Sequence, residues 1–255
     1  MQNSFSVILP IHNEEKNLLY SLPSIHKTGA TEIICLFDRC TDNSKEVAEK
    51  IAKKIGAKIV CLDVNSQKTS FTYAHSFLRF YGSLMASNHI VLFTAADMIL
   101  DPKIGDYVKL VANGQYGMIS FIHKNFPVDW RLMIKRLLVK TRTRGLGSEK
   151  WLGAILLWNR EVGFESEDIE ELKGLRMAQD THLWRAIYKK HKTLCVPLNI
   201  IHLRSMESKR HYLRGQLYWS DLHRSFLVTL LSSIMVLRLK LLKGYIRERY
   251  RKKLE

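Results

Sequence analysis

Four short apolar runs rich in β-branched residues, at 6–9, 32–37, 58–62 and 90–93, alternate with helical patterns at 14–26, 44–55 and 72–86. Strands that are apolar throughout must be covered on both faces, which parallel pairing with crossover helices achieves. The expected fold is therefore α/β: a mostly parallel, Rossmann-like sheet with flanking helices and right-handed crossovers. Beyond Pro102 the alternation loosens. The pattern predicts a helix at 103–113, a strand at 117–122, a basic amphipathic helix at 128–142 and a strand at 153–158. An acidic loop at 165–171, a helix at 180–190 and an extended segment at 194–201 follow.

Polar residues collect where the first, second and fourth strands end. P-I-H-N-E-E (10–15) follows the first, D-R-C-T-D-N-S (38–44) the second, and the lone acid Asp97 the fourth. The carboxyl ends of parallel strands are where open α/β sheets bind ligands, and carboxylates and amides along that edge suit a nucleotide's base, ribose and metal-bound phosphates. Asn13 and Asp42 also read as caps of the helices that follow them. Asp38, directly after I-I-C-L-F, sits at a strand end and outside any helical turn, so a functional role suits it better. The 10–15 segment has no glycine, which argues against a phosphate-cradling loop and hence against nucleotidyl transfer.

A formal net charge of +16 over 255 residues points to an anionic partner. The excess is local: residues 131–150 carry seven Lys/Arg against Glu149 alone, and residues 203–255 carry 13 against four acids. No nucleic-acid-binding motif is interleaved with these bases, and acidic strand ends repel phosphate without a metal, so nucleic acid is not expected as a partner. The apolar run at 225–237 is too short to span a bilayer and is followed by Arg238, Lys240 and Lys243. It reads as a peripheral anchor on anionic lipid, the alternative being a helix packed on the body with a solvated basic end. Cys35, Cys40, Cys61 and Cys195 show no C-x-x-C spacing and read as reduced core thiols. No signal peptide is evident, and the expected location is cytoplasmic, peripheral on the inner face of the cell membrane.

The ordered set P-I-H-N-E-E, D-R-C-T-D-N-S, A-A-D-M-I-L-D-P and A-Q-D-T-H-L-W-R resembles the family 2 glycosyltransferases, inverting nucleotide-sugar enzymes of GT-A fold, over roughly residues 4–216. The run from Arg79 through Gly82 to Asp97 keeps the family's spacing. The resemblance implies that Pro10, His12, Asn13 and Glu14 line the base pocket, and that Asp38 holds base or ribose. Lys68 and Ala96 would lie beside the nucleotide. Asp97 would be the last acid of the D-x-D motif, holding Mg²⁺ or Mn²⁺ on the diphosphate, with His202 as a further metal ligand. Asp180 would be the catalytic base, with Gln179 in place of the family's Glu. Ala95 replaces the first D-x-D acid, which opens a second reading, a non-catalytic nucleotide-sugar-binding homologue.

The implied reaction moves a sugar from a nucleoside-diphosphate sugar, a UDP-sugar by default, to a lipid-linked or cell-surface glycan acceptor. If the acceptor is a polyprenyl phosphate, its nucleophile is already ionised. Asp180 on pattern alone also reads as an N-cap. Arg185 could pair with phosphate or be a plain surface charge, and Trp151 could stack on the acceptor or belong to a core. The implied domains are 1–202, with a nucleotide half (1–102) and an acceptor half (103–202), and a basic helical extension, 203–255. The sequence leaves the oligomeric state open.

Overall fold

The computed structural model describes residues 4–71, 74–125, 155–162 and 179–203, with positions 173 and 246. The chain divides into two compact units, residues 1–124 with 145–203 and residues 125–144 with 204–255. Nearly all described residues belong to the first. The helix expected at 128–142, the acidic loop at 165–171, Trp151 and the basic extension lie outside the described residues.

Strands β1 (Ser6–Ile11), β2 (Glu32–Asp38), β3 (Ile59–Val64) and β4 (Ile90–Phe93) are linked by helices α1 (Glu15–His26), α2 (Ser44–Ile55) and α3 (Ala74–Met85). They pair in parallel, with Ser6 beside both Glu32 and Val91, and β3 lies beyond β2. After the two-residue β5 (Met98–Ile99) come a 3₁₀ turn (Pro102–Tyr107), α4 (Val108–Ala112), β6 (Met118–Asn125), β7 (Ile155–Asn159), α5 (Gln179–Tyr188) and β8 (Thr193–His202). The eight strands are ordered β3-β2-β1-β4-β7-β6-β8-β5.

The parallel half matches the alternation seen in the sequence. Past β4 the sheet becomes mixed: β7 runs antiparallel to β4 and to β6, and β5 antiparallel to β8. Parallel neighbours need a crossover element between them, and the regular helix–strand alternation that supplies crossovers stops at β4. The helix expected at 103–113 opens as a 3₁₀ turn, where Asp101 accepts from the Lys103 N–H at 3.0 Å. A Cβ on Gly105 would come within 2.3 Å of the Thr28 carbonyl oxygen, so the turn lies on the chain end of α1 at a distance only glycine allows.

Successive residues of the parallel strands feed two different cores. Val7, Leu9 and Ile11 of β1, with Ile33, Cys35 and Phe37 of β2, pack with Leu18, Leu22 and Ile25 of α1 and Ala48 and Ile51 of α2. Ile8, Ile34 and Leu36 point the other way, to Leu78 of α3 and Leu183 and Ile187 of α5, where Phe93 and Trp158 lie 4.0 Å apart. This alternation explains why the runs are apolar at every position. A Cβ on Gly82 would meet Ile8 Cγ2 at 2.4 Å, so α3 rests close on β1.

The amino edge of the sheet holds a buried carboxylate. Glu32 accepts from Ser6 Oγ at 2.6 Å, from the Ser87 N–H and Oγ at 2.9 and 2.7 Å, and from Lys58 Nζ at 3.0 Å. Burial pushes its pKa up, but these four donors outweigh burial and hold it at about 2, against an ordinary 4.5. The lowered value means that the ionised form stabilises the fold above pH 4.5 and that this contribution fades as the pH falls towards 2. Glu32→Ala is expected to cost about 2 kcal/mol at neutral pH, because it removes a charged acceptor and leaves the buried Ser6 hydroxyl without its carboxylate, while Ser87 and Lys58 are exposed and turn to water. Urea denaturation should show the gap between wild type and variant narrowing as the pH is lowered through that window.

Candidate active site

Strand β1 is the topological switch of the parallel half, since β2 lies on one side of it and β4 on the other. A ligand crevice is expected outside the carboxyl ends of β1 and β4, flanked by the turns after β2 and β3. Asn13 and Arg39, the non-glycine residues with left-handed backbone among the described residues (φ 54° and 53°), both lie on this edge. Such conformations cost about 1–3 kcal/mol each and cluster at functional sites.

The turns after β1 and β2 are bound to each other. Asn13 Oδ1 accepts from the Thr41 N–H at 2.8 Å, so Asn13 braces the second turn and does not cap α1. His12, exposed, donates from Nδ1 to the Asp38 carbonyl oxygen at 2.7 Å. Ser44 Oγ accepts from the Glu14 N–H at 2.8 Å and donates to Asp42 at 2.6 Å. Asp42 also accepts from the Glu15 N–H at 3.2 Å and the Ser44 N–H at 3.1 Å, which caps the first turns of α1 and α2 together. Burial raises the Asp42 pKa, but the donors from Ser44 and Glu15 prevail and leave it below the usual carboxylate range.

Asp38 is buried at the end of β2. It accepts from Arg39 Nε and Nη2 at 3.1 and 3.0 Å, and from the Ser66 N–H and Oγ at 2.9 and 2.8 Å. Burial raises its pKa; the Arg39 and Ser66 donors outweigh that and lower it. Ser66 opens the 3₁₀ turn Ser66–Lys68 that follows β3, and Lys68 is exposed on that turn. Sequence reasoning missed Arg39 and Ser66, because nothing in D-R or N-S-Q-K says that these side chains converge.

Asp97, 8% exposed, follows β4 by way of Thr94, Ala95 and Ala96. Its backbone carbonyl accepts from the Leu203 N–H at 2.8 Å. The β5–β8 pairing sets Met98 opposite His202, which brings His202 Nε2 to 3.0 Å from Asp97 Oδ2 across 105 positions of sequence. Two residues singled out separately in the sequence thus meet. Among the described residues no group of three or more His, Cys, Asp or Glu could hold a metal. The 3.0 Å contact is a hydrogen-bonded pair, and its two atoms are spaced as adjacent corners of an octahedron with bonds of about 2.1 Å; a carboxylate with an imidazole suits Mn²⁺ better than Mg²⁺, which prefers oxygen ligands throughout.

The remaining expected residues divide by burial. Pro10 lies inside β1 opposite Leu36 and is buried, and Ala96 is packed in the core, so each could face a ligand only through its backbone. Glu14 is half-buried and accepts from Asn17 Nδ2 at 2.6 Å. Asp180 stands half-buried in the first turn of α5, with Arg185 exposed in the last turn of the same helix. The cysteines are unpaired.

The strands from β1 to β7, with the turns that carry Pro10 to Asp97, fall within a stretch matched by a known family: the sequence pattern of "Glycosyl transferase family 2" matches residues 6–159, more than half of the chain. The chain belongs to glycosyl transferase family 2. Solved glycosyltransferase structures share the fold. The S. aureus TarS 1–349 structure is 17% identical, with a TM-score of 0.57 over 87% of this chain and 66% of that one. The same TarS fragment with UDP is 18% identical, with a TM-score of 0.54. Glucosyl-3-phosphoglycerate synthase from Mycobacterium tuberculosis, solved with Mn²⁺, UDP-glucose and phosphoglyceric acid, is 17% identical. It gives a TM-score of 0.55 over 87% of this chain and 79% of that one. The mixed α/β sheet is therefore of GT-A type. This chain spans 66% of the TarS 1–349 structure and 42% of the longer TarS structure.

Proposed function

We propose that this family 2 chain is an inverting glycosyltransferase that moves a sugar from a nucleoside-diphosphate sugar, by default a UDP-sugar, to a glycan or lipid-linked acceptor. The observation that carries the proposal is the Asp97–His202 pair at 3.0 Å beside the switch between β1 and β4. Asp97 and His202 would hold Mg²⁺ or Mn²⁺; a divalent ion there neutralises negative charge developing on the departing diphosphate. That TarS and glucosyl-3-phosphoglycerate synthase were solved with UDP or with Mn²⁺ and UDP-glucose supports this choice of donor and ion.

The turns after β1, β2 and β3 make the nucleotide side, with His12, Asn13 and Glu14 on the base, Pro10 and Ala96 contributing backbone, and Lys68 a cation near the phosphates. Asp38 organises these turns from within. Asp180 takes the proton from the acceptor hydroxyl as its oxygen bonds to the anomeric carbon, while the bond from that carbon to the diphosphate breaks on the opposite face. A polyprenyl phosphate acceptor would bring no proton, and Asp180 would then serve orientation alone. The domain from 1 to 202 carries this chemistry in its nucleotide and acceptor halves, and the basic extension from 203 to 255 holds the enzyme on anionic lipid at the cytoplasmic face of the membrane. No helix among the described residues is long and apolar enough to cross a membrane.

Ala95, standing where the family's first D-x-D acid would be, favours the second reading, a nucleotide-sugar binder without turnover. The full chain incubated with UDP-glucose, UDP-N-acetylglucosamine or GDP-mannose and Mn²⁺ decides between them. Release of nucleoside diphosphate from one donor above the no-enzyme rate is expected. Donor binding with no release, under any acceptor supplied, would make the chain a binder.

A further inference from the structure

His202 reaches Asp97 at the end of a ladder two residue pairs long, Met98 with His202 and Ile99 with Ile201. Hydrogen-bonded pairs alternate along an antiparallel ladder, and the Leu203 N–H donates to the Asp97 carbonyl at 2.8 Å. In that register Asp101 stands opposite Asn199 at a bonded position, where its own carbonyl would be the regular acceptor for the Asn199 N–H. That carbonyl is already taken. The chain bends at Pro102 into the 3₁₀ turn, and the Asp101 carbonyl accepts from the Ile104 N–H at 3.1 Å. The side chain stands in for it: Asp101 Oδ2 accepts from the Asn199 N–H at 3.0 Å, across 98 positions of sequence, while Oδ1 accepts from the Lys103 N–H at 3.0 Å. Asp101 is 7% exposed. The segment before it is fastened to α1, where the buried Ser24 Oγ accepts from the Leu100 N–H at 3.0 Å.

We infer that Asp101 is a positioning residue for the Asp97–His202 pair: its carboxylate closes the β5–β8 ladder against Asn199 and so sets the register that holds His202 where a divalent ion would bind. The inference rests on the metal site proposed above. The carboxylate serves N–H donors on two segments far apart in sequence, one with each oxygen. A hydroxyl or a carboxamide has a single acceptor oxygen and cannot serve both in the same way. Register matters here because side chains alternate along a strand, so a slip of one residue would turn His202 to the opposite face of the sheet. His202 is also the last residue of β8, and fraying of that end would carry it away from Asp97. Asp101 ties the end of β8 to a segment that α1 already anchors.

The test compares the full chain with Asp101→Ser. Serine caps a turn as aspartate does, so its hydroxyl keeps the Lys103 N–H, but it has no second oxygen to reach Asn199; thermal melts check that the variant folds. Without metal, amide exchange followed by NMR is expected to show the Leu203 N–H exchanging about tenfold faster than in the wild type. The N–H groups of Ile104 and Thr94, which donate to the Asp101 and Ile8 carbonyls, should exchange as before. With UDP present, the affinity for Mn²⁺, read from the electron paramagnetic resonance signal of the free ion, should fall by about 10–100-fold, the scale for losing a group that orients a metal ligand. Asp101→Asn keeps the shape but offers one acceptor oxygen to two donors, so both readouts should fall between the wild type and Asp101→Ser; it carries the test alone if the serine variant does not fold. A folded variant that matches the wild type in either readout would overturn the inference and leave Asp101 a cap of the turn, with the function proposed above intact. A wild type that binds no Mn²⁺ in the presence of UDP would overturn both the inference and the metal site on which it rests.

Discussion

Asp180→Asn is expected to lower the rate of sugar transfer to a hydroxyl acceptor by about 10²–10⁴-fold, the usual contribution of a general base, while donor affinity stays within about twofold. Asparagine has the shape of aspartate but accepts no proton at neutral pH. Asp180 lies half-buried in the first turn of α5, and asparagine is also a competent residue near a helix start, so the fold should be undisturbed. Steady-state kinetics would show the loss in kcat and not in the KM for the donor. Calorimetric binding of the nucleoside diphosphate would show no change. Equal losses in both would assign Asp180 to donor binding. A loss confined to hydroxyl acceptors and absent with a polyprenyl phosphate would identify the acceptor class, because only the hydroxyl brings a proton to remove.

Asp97→Asn is expected to reduce turnover by about 10²–10³-fold, the scale for loss of one charged contact to a developing anion, and to abolish the metal dependence of donor binding. The residue sits where the chain leaves β4 and turns into β5, and its carboxylate faces His202 at 3.0 Å. The amide keeps the volume and a hydrogen-bonding oxygen but removes the charge that a divalent cation requires. His202→Ala should act in the same direction with a smaller loss, because a metal that keeps several waters can replace an imidazole with another water. Titrating Mn²⁺ against transfer rate in the three proteins checks the order wild type, His202→Ala, Asp97→Asn.

The parallel half of the fold was legible because it is written in runs that are apolar at every position, and those positions feed cores on both faces, as Ile8 and Leu9 do on opposite sides of β1. The antiparallel half was less legible. Strand β5 is two residues long, and it exists through its pairing with Ile201 and His202, contacts about a hundred positions away that no local pattern announces.

Asp97 could be singled out by its position at a strand end and His202 by the family resemblance, but their meeting depends on that pairing. Asp42 illustrates a reading that was correct in kind and too narrow, since its carboxylate caps two helices and not one. Asn13, read as a cap, spends its side chain on Thr41 because the left-handed turn points it there. Pro10 and Ala96 came from motif position alone, which carries no information about burial. Asp38 was noticed for its charge, yet its saturation by Ser66 and Arg39 follows from the turn after β3 approaching β2, a tertiary fact.

The measurement that bears most directly on the account is calorimetric titration of UDP and GDP into the full chain with and without Mn²⁺, repeated on Asp97→Asn. Binding of one of them that strengthens at least tenfold with Mn²⁺ in the wild type, and loses that dependence in the variant, is the predicted result. Binding that is indifferent both to Mn²⁺ and to the charge at position 97 would contradict the assignment of Asp97 and His202 as the seat of the metal and the diphosphate.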